Sequence, residues 1–364
     1  ETYRLKVLPG KKYLLRIINA ALNAEQFFRI AGHRLTVVAV DATYTNPYDT
    51  DVVVITPGQT VDVLLTTDQL PRRYYMAAHP YSSATGLVFA NTTTRALLVY
   101  NDGDDDDKAA LMPSLPAFND TPTAHEFYSN ITSKVGARFW VPVPKEVDYR
   151  MLITIGLGLS ACDLPGNQTC VAPFGMKLSA SMNNVSFQFP SKLSMLEAFH
   201  GNVEGIYTAD FPDAPPTVFD YTNTSLSLDR SLVTTTKSTK VKKLRFNSTV
   251  EVVFQNTALL SSENHPMHLH GFNFHVLAQG FGNYDPATDR EKFNFVNPQI
   301  RNTIGVPVGG WAVVRFQANN PGIWFVHCHL DVHASLGFAM AFEVENGPTP
   351  ETTLPPPPRD LPRC

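Results

Sequence analysis

The 364 residues are enough for two or three domains of ordinary size with substantial buried cores. The formal charge of −4 is spread over both signs, which argues against nucleic acid or anionic lipid as a partner. The longest apolar run, Met151 to about Leu159, falls far short of the roughly 20 residues that span a bilayer.

The chain opens on Glu1-Thr2-Tyr3-Arg4-Leu5-Lys6-Val7, which alternates like a strand already under way and not like a secretory leader. The start is therefore expected to lie inside a longer protein. Tyr13–Ile18, Arg34–Val40, Val52–Ile55 and Thr60–Leu65 follow as short alternating segments, each bounded by Gly, Pro, Asn or Asp. This block ends near Tyr100, and residues 1–101 are expected to form one β domain. The acidic run Asp102–Lys108, with Pro113, Pro116 and Pro122 behind it, reads as a solvated linker over 102–123; metal binding by the aspartates is the weaker reading. A longer β domain is expected over 124–345, with Val250–Phe254 and Ala312–Phe316 among its strands. Residues 346–364, with Pro355–Pro358, read as an extended strap. The fold class is all-β, a sandwich or barrel, with no alternation of strands and helices.

Seven Asn-x-Ser/Thr sequons, at Asn91, Asn119, Asn130, Asn167, Asn184, Asn223 and Asn247, favour a secretory history. Cys162 and Cys170 enclose Pro165 and Gly166, the usual setting of a local disulfide. Cys364 has no spare partner and is expected to bridge to a segment outside the chain. Cys328 lies between two histidines and reads as a ligand.

Six of the eleven histidines fall in two windows, His265-Pro266-Met267-His268-Leu269-His270 and His327-Cys328-His329-Leu330-Asp331-Val332-His333. Any one of them alone would more often be an ordinary hydrogen-bonded imidazole. Six with a thiol in two strand-length segments have no economical packing role, and imidazole plus thiolate is the ligand set of copper and zinc. Residues i and i+2 of a strand share a face, so His268 and His270 project together, as do His327 and His329. Cys328 must point the other way, as must His265, three residues before His268. His333 is far enough past Cys328 for a tight loop to return it. Two back-to-back sites result: His265, Cys328 and His333 in one, and His268, His270, His327 and His329 in the other. A trigonal site of two His and one Cys suits blue copper. Structural zinc wants four closed ligands and CxxC-type spacing, which is missing here. Cys328 is covalently continuous with His327 and His329, a bonded path for electrons between the sites.

HPMHLHG and HCHLDVH resemble the third and fourth copper-binding motifs of multicopper oxidases. HGFNFHVLAQGFGNYDP, PVGGWAVVRFQANNPGIWFVHCHLDVHASLGFAMAFEVENGP and ASMNNVSF resemble plant laccases. The resemblance implies two cupredoxin-like Greek-key β-sandwich domains, the second and third of a family whose first domain is missing here. It implies type 1 copper on His265, Cys328 and His333, type 2 on His268, and type 3 on His270, His327 and His329. The family's first domain would supply the remaining cluster ligands, so this chain alone is expected to hold about one copper. The position five residues after the ligand His, where many cupredoxins carry an axial Met, is Phe338, which argues for laccase over ascorbate oxidase; Met340 and His275 read as structural. The implied function is one-electron oxidation of phenols such as lignin precursors, coupled to four-electron reduction of dioxygen to water. The alternatives are a non-catalytic copper-binding fragment, or an ascorbate or metal oxidase. The implied setting is the apoplast or cell wall, as a secreted monomer. Laccase donors approach an exposed edge of the type 1 ligand matched by His265. Loose register places Asn23 at the phenol hydroxyl, Glu25 as the candidate base, and Tyr81 and Phe338 as aromatic walls.

Overall fold

The computed structural model describes residues 2–41, 43–84, 91–100, 110–164, 169–358 and 360. The acidic run 102–108, the sequon at Asn167, and Cys364 with its expected bridge lie outside the described residues. The chain forms two compact units, Glu1–Val141 with Val296–Thr303, and Pro142–Phe295 with Ile304–Cys364. Both are built on β-sheets, and the fold is all-β and cupredoxin-like.

In the first unit one sheet runs in the order Arg4–Val7, Thr94–Tyr100, Arg73–Tyr81, Glu25–Ile30, Val53–Ile55. A second runs Lys12–Ile18, Thr60–Thr66, Leu35–Val40, Thr43–Thr50. The alternation seen in the sequence has a direct cause here. Val61, Val63 and Leu65 point into the core and are completely buried, while Thr60, Asp62, Leu64 and Thr66 between them stay half-exposed. Thr121–Asn130 is a helix, although 102–123 reads as linker. Asp120 caps it by accepting from the Thr123 amide, and Pro122 sits in its first turn, where no amide is needed. The helix buries Phe127 and Tyr128 in the core of the first unit, with Ile131 just after it. That burial carries the first unit to Val141, beyond the boundary expected at 124.

The second unit carries the histidines. Its larger sheet places Ser248–Asn256, buried along its whole length, between Tyr149–Ser160 (parallel) and Gly310–Ala318 (antiparallel). A five-stranded sheet has the order Val241–Leu244, Ala339–Val344, Gly322–Cys328, His265–Leu269, Thr303–Val306. Val252, Phe254 and Val314 of the larger sheet share one core with Met267, Leu269, Val326, Met340 and Phe342 of the other. Burial of this kind is worth roughly 1.5–3 kcal/mol for each large aliphatic or aromatic side chain, so the sheet bearing the histidine motifs is firmly anchored. Cys162 and Cys170 are joined in a disulfide, as their spacing suggests.

Candidate metal centre

His265–Leu269 and Gly322–Cys328 pair antiparallel, with Met267 opposite Cys328 and His268 opposite His327. Directly opposed residues share a face. The His268–His327 pair therefore defines one face, which His270 and His329 extend by the two-residue period. Cys328 and Met267 define the other, toward the core, and His265 joins them. This register turns the alternating ligands of the sequence into two groups separated by the thickness of one sheet.

On the buried side, one ligand atom from each of His265, Cys328 and His333 lies within 4.8 Å of the others. The Cys328 Sγ is 3.9 Å from His265 Nδ1 and 3.4 Å from His333 Nδ1. His333 is returned to this group by the short helix Asp331–Ser335. The Phe338 amide donates to the His333 carbonyl and the Cys328 amide to the Phe338 carbonyl, closing the loop on itself. Gly337 makes that closure possible. Its φ is +93°, and a Cβ there would lie 3.0 Å from the Phe187 carbonyl oxygen and 3.1 Å from its amide nitrogen. Phe338 is completely buried, its ring 4.7 Å from that of His265 and 5.8 Å from that of His333. Met340, two residues on, faces the core.

On the other side His268, His270 and His327 bring ligand atoms within 4.8 Å of one another, and His270 Nε2 and His327 Nε2 are 3.1 Å apart. His329 stands beside this trio and outside its closest grouping, its ring 5.5 Å from His268 and 5.4 Å from His327. His270 is exposed, and Phe325 stacks on His327 at 5.0 Å.

Burial pushes the His265 pKa down to about 3, with nearby Glu263 opposing it. Burial likewise takes His327 down to about 4 and lowers His270. All three imidazoles are therefore neutral near pH 7, the form that binds metal. An acidic neighbour of the buried trio carries no motif of its own in the sequence. Glu263, two residues before His265, is buried, and its Oε1 lies 3.2 Å from His333 Nε2. Burial works to raise its carboxyl, but His333 and His265 beside it hold it below the usual carboxylate range.

Two family models described as multicopper oxidase match residues 1–103 and 210–348. Laccase-7 of Arabidopsis thaliana is 61% identical over 366 residues, covering 100% of this chain and 63% of the relative. Laccase-9 of the same plant is 55% identical over 367 residues, covering 100% of this chain and 62% of the relative. This chain belongs to the multicopper oxidase family. It spans just under two thirds of these relatives' length. A crystal structure of Fet3p, a multicopper oxidase that functions in iron import, superposes with a TM-score of 0.67 at 20% identity, covering 94% of this chain and 57% of that one, which speaks to the fold.

Copper is the metal of this multicopper oxidase, and the donor set fits it. The imidazoles of His265 and His333 converge with one thiol on a buried point, and His265 Nδ1 turns toward the Cys328 Sγ while its Nε2 is buried without a hydrogen-bond partner. Outside the ligand motifs the structure departs from expectation. His265 is completely buried between Glu263, Pro266, Phe338 and His333, so it offers no exposed edge to a donor. Phe338 is completely buried against His265 and His333 and is not the wall of an open pocket. Tyr81 packs 5.1 Å from Phe27 in the core of the first unit and donates to Thr121 Oγ1. Glu25 is buried directly opposite Tyr81, whereas Asn23 sits exposed in the preceding loop. Among the described residues no helix is long and apolar enough to cross a membrane.

Proposed function

We propose that this chain is the copper-bearing C-terminal part of a secreted plant laccase, which oxidises phenols one electron at a time and reduces dioxygen to water. The observation that carries the reading is Cys328 on the core face of a strand whose next residues on either side, His327 and His329, face the second histidine group. Copper, when bound, supplies reversible one-electron chemistry at each site. His265, Cys328 and His333 would hold the type 1 ion, His268 the type 2 ion, and His270, His327 and His329 the type 3 pair. The backbone of residues 327–329 would then join donor side to oxygen side through bonds alone. Phe338, packed against the His265 ring, would give the type 1 ion a hydrocarbon neighbour and no sulfur, which favours a high potential suited to phenols. Four imidazoles on the second face, with His270 exposed, leave room for ligands from an N-terminal domain, the expected partner. The identity to proteins named laccase supports the substrate class, and the exposed sequons Asn91, Asn119, Asn130, Asn223 and Asn247 are sterically open to glycans. The full-length protein should consume oxygen with a phenol faster than with ascorbate or ferrous iron. The reverse order of rates would replace laccase by another oxidase of the family.

A further inference from the structure

The buried trio is not chemically symmetric. His265 Nε2 has no hydrogen-bond partner, whereas His333 Nε2 faces the Glu263 carboxylate at 3.2 Å. Glu263 is itself 7% exposed, and its Oε1 is buried without a satisfied hydrogen bond, His333 Nε2 being its close basic neighbour. A buried carboxylate without a cation or donor is costly, so something must compensate it. Its backbone is fixed from the other side, because the Asn256 side-chain amide donates to the Glu263 carbonyl at 2.6 Å. Asn256 ends the central, fully buried strand of the larger sheet, so the backbone that carries the carboxylate is tied to the core.

We propose that Glu263 is a positioning residue for the type 1 copper: it accepts a hydrogen bond from His333 Nε2–H, fixing the tautomer that turns Nδ1 toward Cys328 Sγ. The inference rests on the reading of His265, Cys328 and His333 as the copper site. Its physical content is that of any carboxylate behind a metal-bound imidazole. The carboxylate sets ring orientation, makes the imidazole a stronger donor, and places a negative charge near the ion. Both electronic effects favour the oxidised, more positive copper. Glu263 thereby opposes Phe338, whose hydrocarbon raises the potential. The two residues would set the driving force between them.

The test uses the full-length copper protein. Glu263→Gln keeps size and can still meet an imidazole, but removes the charge. It should weaken Cu(II) binding at the blue site by about 10- to 100-fold, the usual range for loss of such a partner. If Cu(I) binding is unaffected, each tenfold loss raises the potential by about 59 mV. Glu263→Asp, which keeps the charge but shortens the reach, should fall between Gln and the parent. Equal potentials in the parent and Glu263→Gln, with the blue band intact in both, would overturn the proposal and leave the copper site standing. Loss of the blue band in the parent itself would instead remove the site. Should Glu263→Gln not fold, imidazole nitrogen NMR of the unsubstituted metal-free protein decides. His333 must carry its proton on Nε2, and a proton on Nδ1 would refute the assignment.

Discussion

Gly271, the residue that ends the HPMHLHG motif, offers the most quantitative test of how the second histidine face is built. Its φ is +75°, and a Cβ there would lie 2.5 Å from Trp324 Cδ2 and 2.6 Å from Cζ3. A Gly271→Ala variant meets two separate costs. A left-handed backbone without glycine costs about 1–3 kcal/mol, and forcing a methyl into occupied space costs about 1–3 kcal/mol more. The indole has little freedom to retreat, since its Nε1 donates to the Asn320 carbonyl at 2.8 Å and its ring packs against Phe272. A combined loss of about 2–6 kcal/mol follows from the two terms. Gly282→Ala is the matched control, because Gly282 has a φ of +81° but nothing within 4 Å of a Cβ. It should cost only the backbone term. Denaturant midpoints of both variants, followed by tryptophan fluorescence, measure the difference. Trp324 precedes Phe325, whose carbonyl accepts the His270 amide at 2.9 Å, so metal affinity of the His268–His270–His327 group should fall as well. Equal losses in the two variants would refute the steric argument.

Phe338→Met should lower the type 1 potential by supplying a sulfur at a completely buried position, with a stability cost below about 1.5 kcal/mol for so near a match in volume; an unchanged or higher potential in redox titration would show that Phe338 is not axial. His33 is buried between the Ala31 carbonyl and the Tyr100 hydroxyl, and burial lowers its pKa from 6.5. The unfolded chain then binds this proton more readily, so stability from His33 is complete above about pH 6.5 and is lost as pH falls. Urea midpoints from pH 7.5 to 5 should therefore drop more steeply for the parent than for His33→Gln, and parallel profiles would contradict this. Residues 1–364 expressed alone should retain about one tightly bound copper and fail to turn over with oxygen, because the second face holds only four imidazoles; sustained oxygen uptake at rates near the ~10 per second typical of enzymes would show that the missing ligands come from elsewhere.

Much of the fold is legible because strands of a two-sheet core must alternate. Thr60–Leu65 sits inside an observed strand for that reason, whereas Ala312–Phe316 lies in a strand buried at nearly every residue. The placement of Cys328 opposite to His327 and His329 is legible too, since parity within a strand is fixed by the backbone and needs no tertiary information. The helix Thr121–Asn130 is harder to see. Pro122, which sits in its first turn, is one of the residues that mark the linker, and the burial of Phe127 and Tyr128 decides between the two readings. Register across strands is also invisible locally, so His329 reads as an equal member of its group although it stands off from the tightest trio. Burial of His265 and Phe338, and the approach of Glu263 to His333, depend on loops meeting from separate strands; neighbouring letters do not encode them.

Copper titration of the protein, followed by visible absorption and electron paramagnetic resonance, addresses the central claim most directly. One equivalent should produce an intense Cu–thiolate band and a blue-copper resonance, and Cys328→Ser should remove both while the protein stays folded, because Cys328 is the one cysteine outside a disulfide among the described residues and supplies the sulfur of the buried trio. A Cys328→Ser protein that still turns blue would contradict the assignment of His265, Cys328 and His333 as the type 1 site.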